Sequence, residues 1–178
     1  NRGKQSLVLD LKNADDMDRF RDLVRGSDIY IQNLAPQSAA GLGITAENMR
    51  EGHEALVAVD VSGYGEGGPR SNDKAYDLAI QAEAGIFAVT GGSEMSKAGV
   101  SIADIATATF VTSSVLAALV RRGLNGTGQT IAVSMLEALT DWVAPALYGA
   151  AYSGSEPPRS GRRHHSIAPY GTFTLSDG

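Results

Sequence analysis

Ser101-x-x-Asp104 stands at the head of a long, nearly uncharged run. A serine followed three residues later by an acid is the pattern of a helix capping box. A carboxylate in the first turn of a helix also lies at the positive end of the helix dipole, which favours its ionised form. Attack on a thioester requires an ionised carboxylate. Capping is the plainer reading of these residues alone, and it is compatible with the chemical one.

Three other stretches bear on chemistry. Gly63-x-Gly65-x-x-Gly68 follows an apolar strand-like segment and matches a dinucleotide fingerprint in spacing. That fingerprint needs its third glycine to open a helix toward a pyrophosphate. Here Pro69 and Arg-Ser-Asn-Asp follow, and no acidic residue stands in a strand at the ribose distance. A ligand-lining loop is expected, and a nucleotide-binding oxidoreductase using it is the rival from another class. Lys74-Ala75-Tyr76-Asp77 sets a cation, a phenol and an acid where an anionic ligand could lie, or it is a solvated lead into a helix. His164 and His165 are neighbours with no third ligand at metal spacing, and His53 stands alone, so no metal site is expected. No G-x-S-x-G elbow supports a serine hydrolase. With no cysteine, disulfides, thiolate metal sites and a cysteine nucleophile are excluded together.

The elements that must position these residues alternate. Ser6–Asp10 reads as a strand. Asn13 then caps the helix ADDMDRFRDLVRG, with Met17, Phe20, Leu23 and Val24 on one face and Gly26 at its end. Asp28–Gln32 is a second strand, a helix follows near Thr45–Arg50, and Leu56–Val61 is apolar enough for a strand covered on both faces. Ser62–Ser71 is a glycine-rich loop, Asp77 to about Phe87 is helical, and Thr90–Ser93 is a turn. Asp104–Arg122 forms a helix ending at Gly123, with Arg121 and Arg122 at the end the dipole makes negative. GLNGTGQ turns into the strand TIAVS, and Met135–Tyr152 is a long helix kinked at Pro145. Ser153–Ser160 is a loop, and Tyr170–Leu175 alternates like a strand before the turn Ser176-Asp177-Gly178. This order predicts an α/β protein with a parallel sheet. Strands at both ends would lack neighbours, as expected of a piece of a longer protein.

Composition agrees with a single globular domain. The 178 residues are 43% hydrophobic and 20% charged. Glycine, at 21 residues, exceeds the usual ~7% and clusters in loops. A net charge of −5 argues against a general nucleic-acid or membrane-surface binder. The N-terminus has no signal-peptide h-region, and the uncharged run Ile105–Val120 falls short of a membrane span, so a buried helix is expected. A cytoplasmic setting is compatible with all of this.

The segments NRGKQSLVLDLK, SDIYIQNLAP, VAVDVSGYGEGGP, KAYDLAIQAEAG, VSIADIATATFVTSSVLAAL, NGTGQTIAVSMLEAL and IAPYGTF follow one another as in class III CoA-transferases. This family also includes α-methylacyl-CoA racemases. The resemblance runs along essentially the whole chain and covers less than half of a typical member. It implies a Rossmann-like parallel sheet flanked by helices, with residues 1–178 forming one partial domain that leads from about residue 153 toward a smaller one. It also implies an interlocked homodimer of full-length chains.

The resemblance further implies transfer of coenzyme A from an acyl-CoA to a carboxylic acid through an aspartyl-CoA thioester, with CoA as substrate and no resident cofactor. Asp104 takes the position of the nucleophile. Leu9 and Lys12 match positions at the adenosine end of CoA, Asn33 and Leu34 match a pair lining the CoA channel, and Lys74 matches a CoA contact. Tyr76 stands where the racemases carry a histidine. A racemase needs that second acid/base for the opposite face of the α-carbon, so tyrosine favours transfer over racemisation. Ser101 amides and the loop at Gly63 and Gly65 are candidates for the oxyanion. Two departures stand out. Gly41 occupies the place of a CoA-gripping arginine, and Arg163–Gly171 lacks the glycine run that some transferases use as an active-site lid.

Overall fold

The computed structural model describes residues 2–177. Gly178, the last residue of the expected terminal turn, lies outside them. Two compact units share the chain: residues up to Ser62 with Val111–Val133, and Gly63–Phe110 with the residues from Ser134 onward.

The first unit begins with α1 (Ala14–Arg25). The Asn13 side chain accepts the Asp15 and Asp16 amides, at 2.9 and 3.2 Å, which satisfies two donors that the first helical turn leaves free. Val24 is buried, Met17 and Phe20 pack on the core, and Leu23 on the same predicted face stays exposed. Strand β1 (Ile29–Gln32), helices α2 (Pro36–Leu42) and α3 (Ala46–Arg50), and strand β2 (Val57–Ser62) follow. The segment Pro36–Leu42 is a helix that the sequence reading did not draw. Proline at its start lacks only an N–H the first turn does not use. β1 and β2 pair in parallel, with Ile29 beside Val57 and Gln32 beside Asp60. Adding β3 (Thr130–Ser134) completes a three-stranded parallel sheet of order β1-β2-β3, flanked by helices, so the expected α/β architecture is present.

The core of this unit gathers Val24, Tyr30, Ala39, Ile44, Met49 and Leu56. Burying each large apolar side chain contributes roughly 1.5–3 kcal/mol. Tyr30 meets Phe20 edge to face at 6.0 Å and donates its hydroxyl to the Ile44 carbonyl at 2.7 Å. Burial, with the nearby Asp60 charge adding, pushes the Tyr30 pKa up to about 12. Arg50 donates to the Leu56, Glu54 and Gly128 carbonyls. Arg122 donates to the Asp28 and Ala55 carbonyls and pairs with the Asp28 carboxylate at 3.0 Å. Arg122, expected to face the helix dipole, therefore ties the starts of β1 and β2.

The second unit contains α4 (Asp77–Glu83), α5 (Ile86–Val89), the start of α6 (Ile102–Asn125), α7 (Met135–Trp142) and α8 (Ala144–Ser153). Gly85, at φ +89°, breaks the predicted single helix into α4 and α5. The long helix expected after Ser134 is likewise two, parted at Val143 with Pro145 in the first turn of α8. Ile80, Ile86, Ala103, Ala106 and Leu139 form the core, with Tyr64, Phe87 and Met135 packed on it.

Helix α6 runs past the expected stop at Gly123 to Asn125, because Gly126, not Gly123, adopts the left-handed φ of +76°. By length and composition α6 is long and apolar enough to cross a membrane. Yet Ala103, Ala106, Thr107, Val111, Val115 and Ala118, spaced by three and four, are all buried, as expected of a core helix.

Two expected strands do not form. Ser6–Asp10 forms no strand pairing among the described residues, Asp10 instead bonding to Lys12, Asn13 and Asp16, and Leu7 and Val8 are exposed. Tyr170–Leu175 supplies one isolated bridge, Gly171 to Arg163, and its apolar side chains are exposed. Alternation makes a strand only where a neighbouring strand takes up the backbone groups.

Candidate active site

The base of the candidate site is the entry to α6, and α4 holds it. Gln81 is fully buried (0% exposed). Its carbonyl accepts the Ala98 amide at 2.9 Å, and its NH2 donates to Asp77 Oδ2 at 2.7 Å and, at 3.3 Å, to the Val100 carbonyl. Asp77 Oδ1 accepts the Ala103 amide at 2.8 Å. The expected capping box is therefore not the one formed: no hydrogen bond joins the Ser101 hydroxyl to the Asp104 amide among the described residues. Asp77, from another helix, caps α6 instead. The Ile102 and Ile105 amides donate to the Val100 and Ser101 carbonyls. This leaves the Asp104 amide without an acceptor among the described residues.

Asp104 is exposed, and its carboxylate has no hydrogen-bond or ion-pair partner among the described residues. Its pKa lies above the ordinary carboxylate value, first because the surrounding protein withdraws water and second because the Asp77 charge opposes ionisation. The sequence argument expected the helix dipole to favour the ionised form; desolvation and Asp77 outweigh it. When ionised, the group is more basic than an ordinary aspartate, which strengthens it as a nucleophile.

The glycine-rich loop lies in the same unit. It is followed by loop rather than helix, as its Pro69 requires, so the fingerprint geometry for a dinucleotide is absent. The Gly63 carbonyl accepts the Leu136 amide at 3.0 Å and the Ser134 hydroxyl at 3.4 Å. A Cβ on Gly63 would collide with that of Ala75. Gly65 and Gly67 take positive φ, +78° and +75°. Arg70 lies 4.1 Å over the Tyr64 ring and pairs with Asp73 and Glu83, while the Tyr64 hydroxyl donates to Glu83 at 2.8 Å. These partners hold the Glu83 carboxyl below its ordinary range. Lys74 and Tyr76 (74% exposed) are open to solvent immediately before α4.

The remaining predicted contacts belong to the first unit. Lys12 and Asn33 are exposed, Leu34 is 40% exposed and Leu9 is half-buried. Gln32 steadies this edge: its carbonyl accepts the Leu34 amide and its NH2 donates to Asp60, both at 2.7 Å, while Asp60 accepts the Ala46 amide. A cavity of about 540 Å³ in this unit is lined by Arg21, Arg25, Asn48, Met49, Glu51 and His53 among others, and by none of the predicted site residues. No cluster of metal-ligating side chains occurs among the described residues.

The sequence reading noticed Asp77 only as part of a polar stretch and passed over Gln81. One signal was present: Asp77 and Gln81 are four apart, the spacing at which such side chains meet on a helix.

The chain is thus an α/β protein with a three-stranded parallel sheet flanked by helices. The model of CoA-transferase family III matches residues 1–178, and the chain belongs to that family. It is 33% identical over its whole length to succinate–glutarate CoA-transferase of Agrobacterium fabrum, covering 45% of that protein. It is 33% identical to acetyl-CoA:oxalate CoA-transferase of Acetobacter aceti, with 99% of this chain and 46% of that protein covered. Among solved structures, a CAIB/BAIF family protein from Brucella suis superposes with a TM-score of 0.89 at 32% identity, over all of this chain and 48% of that one. The chain thus spans about half the length of the relatives it matches.

Proposed function

We propose that the enzyme containing this chain moves coenzyme A from a donor thioester to a carboxylic acid, with Asp104 as the nucleophile. The observation that carries this reading is the Asp104 carboxylate itself, solvent-accessible, without a hydrogen-bond or ion-pair partner among the described residues, and more basic than usual at the first turn of α6.

The chemistry balances without a cofactor. An Asp104 oxygen attacks the acyl-CoA carbonyl, the C–S bond breaks, and a mixed anhydride and CoA thiolate result. The thiolate attacks the aspartyl carbonyl, which releases the donor acid and leaves an aspartyl-CoA thioester. The acceptor carboxylate attacks that thioester, and the thiolate then takes the acceptor acyl group and frees Asp104. Each attack builds negative charge on a carbonyl oxygen, for which the Asp104 and Ser101 amides and the Gly63–Gly65 loop are the donors proposed here. In the unit that carries Asp104, Lys74 is the cation proposed for the CoA phosphates and Tyr76 a polar contact for the acyl group; the CoA contacts proposed at Leu9, Lys12, Asn33 and Leu34 rest on the family resemblance alone. Relatives named for succinate, glutarate and oxalate support a small dicarboxylic acid as acceptor. A homodimer of the full-length protein completes the proposal.

Mass spectrometry after incubation with acyl-CoA should find CoA on the peptide bearing Asp104. Asp104→Ala should lose the adduct and slow transfer by roughly 10³-fold or more. Transfer at the original rate in that variant would refute the assignment.

A further inference from the structure

Asp104 stands on a helix start whose position does not come from the local sequence. The segment Ala98–Ser101 feeding α6 forms no regular element, and Ser101 does not cap the helix. What fixes it is a pair of side chains on α4. Gln81 holds the segment at two points, the Ala98 amide and the Val100 carbonyl, while Asp77 holds the Ala103 amide next to the candidate nucleophile. The two are joined by Gln81 Nε2 to Asp77 Oδ2. The arrangement admits one orientation of the Gln81 amide. Turned over, its NH2 would face the Ala98 N–H and its oxygen would face the Asp77 carboxylate. Gln81 is also sealed from water, so losing any of these bonds leaves a polar group without a replacement.

We propose that Asp77 and Gln81 are positioning residues of the transfer reaction: together they lock the first turn of α6 and set the placement and ionisation of the Asp104 carboxylate. The inference rests on Asp104 being the nucleophile. Asp77 acts in two ways, as the acceptor that ends α6 and as a like charge near the nucleophile. Among the described residues it is the one ionised group whose charge registers at Asp104. Gln81 acts only through geometry.

The two roles separate experimentally. In the full enzyme, Gln81→Leu keeps the volume but removes all three hydrogen bonds. It should lower kcat by on the order of 10- to 100-fold, the scale of a misplaced reacting group, with KM changed by less than about threefold. Asp77→Asn removes the charge and keeps one acceptor oxygen for the Ala103 amide, at the loss of the acceptor that Oδ2 gives the Gln81 NH2. It should move the acid limb of the kcat/KM profile to lower pH, because Asp104 then ionises more readily. A purely structural role would lower the melting temperature and leave that limb in place. An unshifted limb in Asp77→Asn, or an unchanged kcat in folded Gln81→Leu, overturns the inference. If Gln81→Leu does not fold, the Asp77→Asn profile decides alone. Asp104→Ala separates the two readings. An inactive Asp104→Ala beside unaffected Asp77 and Gln81 variants sinks only the positioning role, whereas an active one sinks the nucleophile and the positioning role together.

Discussion

At Asp104, the proposed nucleophile, the demands of function and stability diverge. Its folded-state pKa is raised, so between the ordinary carboxylate value and that higher one the native state holds more protons than the unfolded chain. Stability therefore falls as pH rises through that window, and the loss persists above it. Asp104→Asn, which removes the ionisation, should melt at the same or a higher temperature than the parent at pH 7. The two should coincide at pH values below the carboxylate range. A clear drop in the melting temperature of Asp104→Asn at pH 7 would contradict this sign. The sequence placed the acid at a helix start correctly, since the helix-dipole and spacing arguments are local. It misjudged the direction of the shift, because the Asp77 charge comes from chain distant in sequence and the withdrawal of water follows from packing, which no local pattern reports.

At the scale of elements, close approaches set what each position tolerates. Gly128 lies against the Leu56 carbonyl, where an added Cβ would overlap backbone that cannot move without disturbing β2. Gly128→Ala should cost about 1–3 kcal/mol, measured as a lowered denaturation midpoint at unchanged slope. Elements with complete local signals were legible: Asn13 ahead of α1, the helix near Thr45–Arg50 that is α3, and TIAVS of β3 with its bounds intact. Elements that depend on partners were not. Ser6–Asp10 and Tyr170–Leu175 have strand-like sequences but no adjoining strand in the described chain. Helix α2, short and rich in small residues, shows almost no apolar periodicity. The cap on α6 was illegible for a related reason, since Asp77 reaches it only after α4 has packed.

For the molecule as a whole, the apolar residues left at the surface matter most. Leu116, Val120 and Leu124 recur every fourth residue on α6 and are 58%, 69% and 86% exposed. A contiguous apolar ridge of this kind favours self-association in water. Leu124→Lys should reduce association of the 178-residue chain, as read by sedimentation, and shift its melting temperature by less than about 4 °C. The same substitution in the full enzyme tests whether that ridge is covered there: a marked loss of stability would show that it is.

The loop beginning at Gly63 is firm at its root and open at its crest. Gly63 has no room for even a methyl group beside Ala75, whereas Gly67 and Gly68 face empty space. Such a loop can be lengthened at its summit and not at its base. A fluorophore or a short peptide grafted between Gly67 and Gly68 would extend into open space without prising apart Gly63 and Ala75.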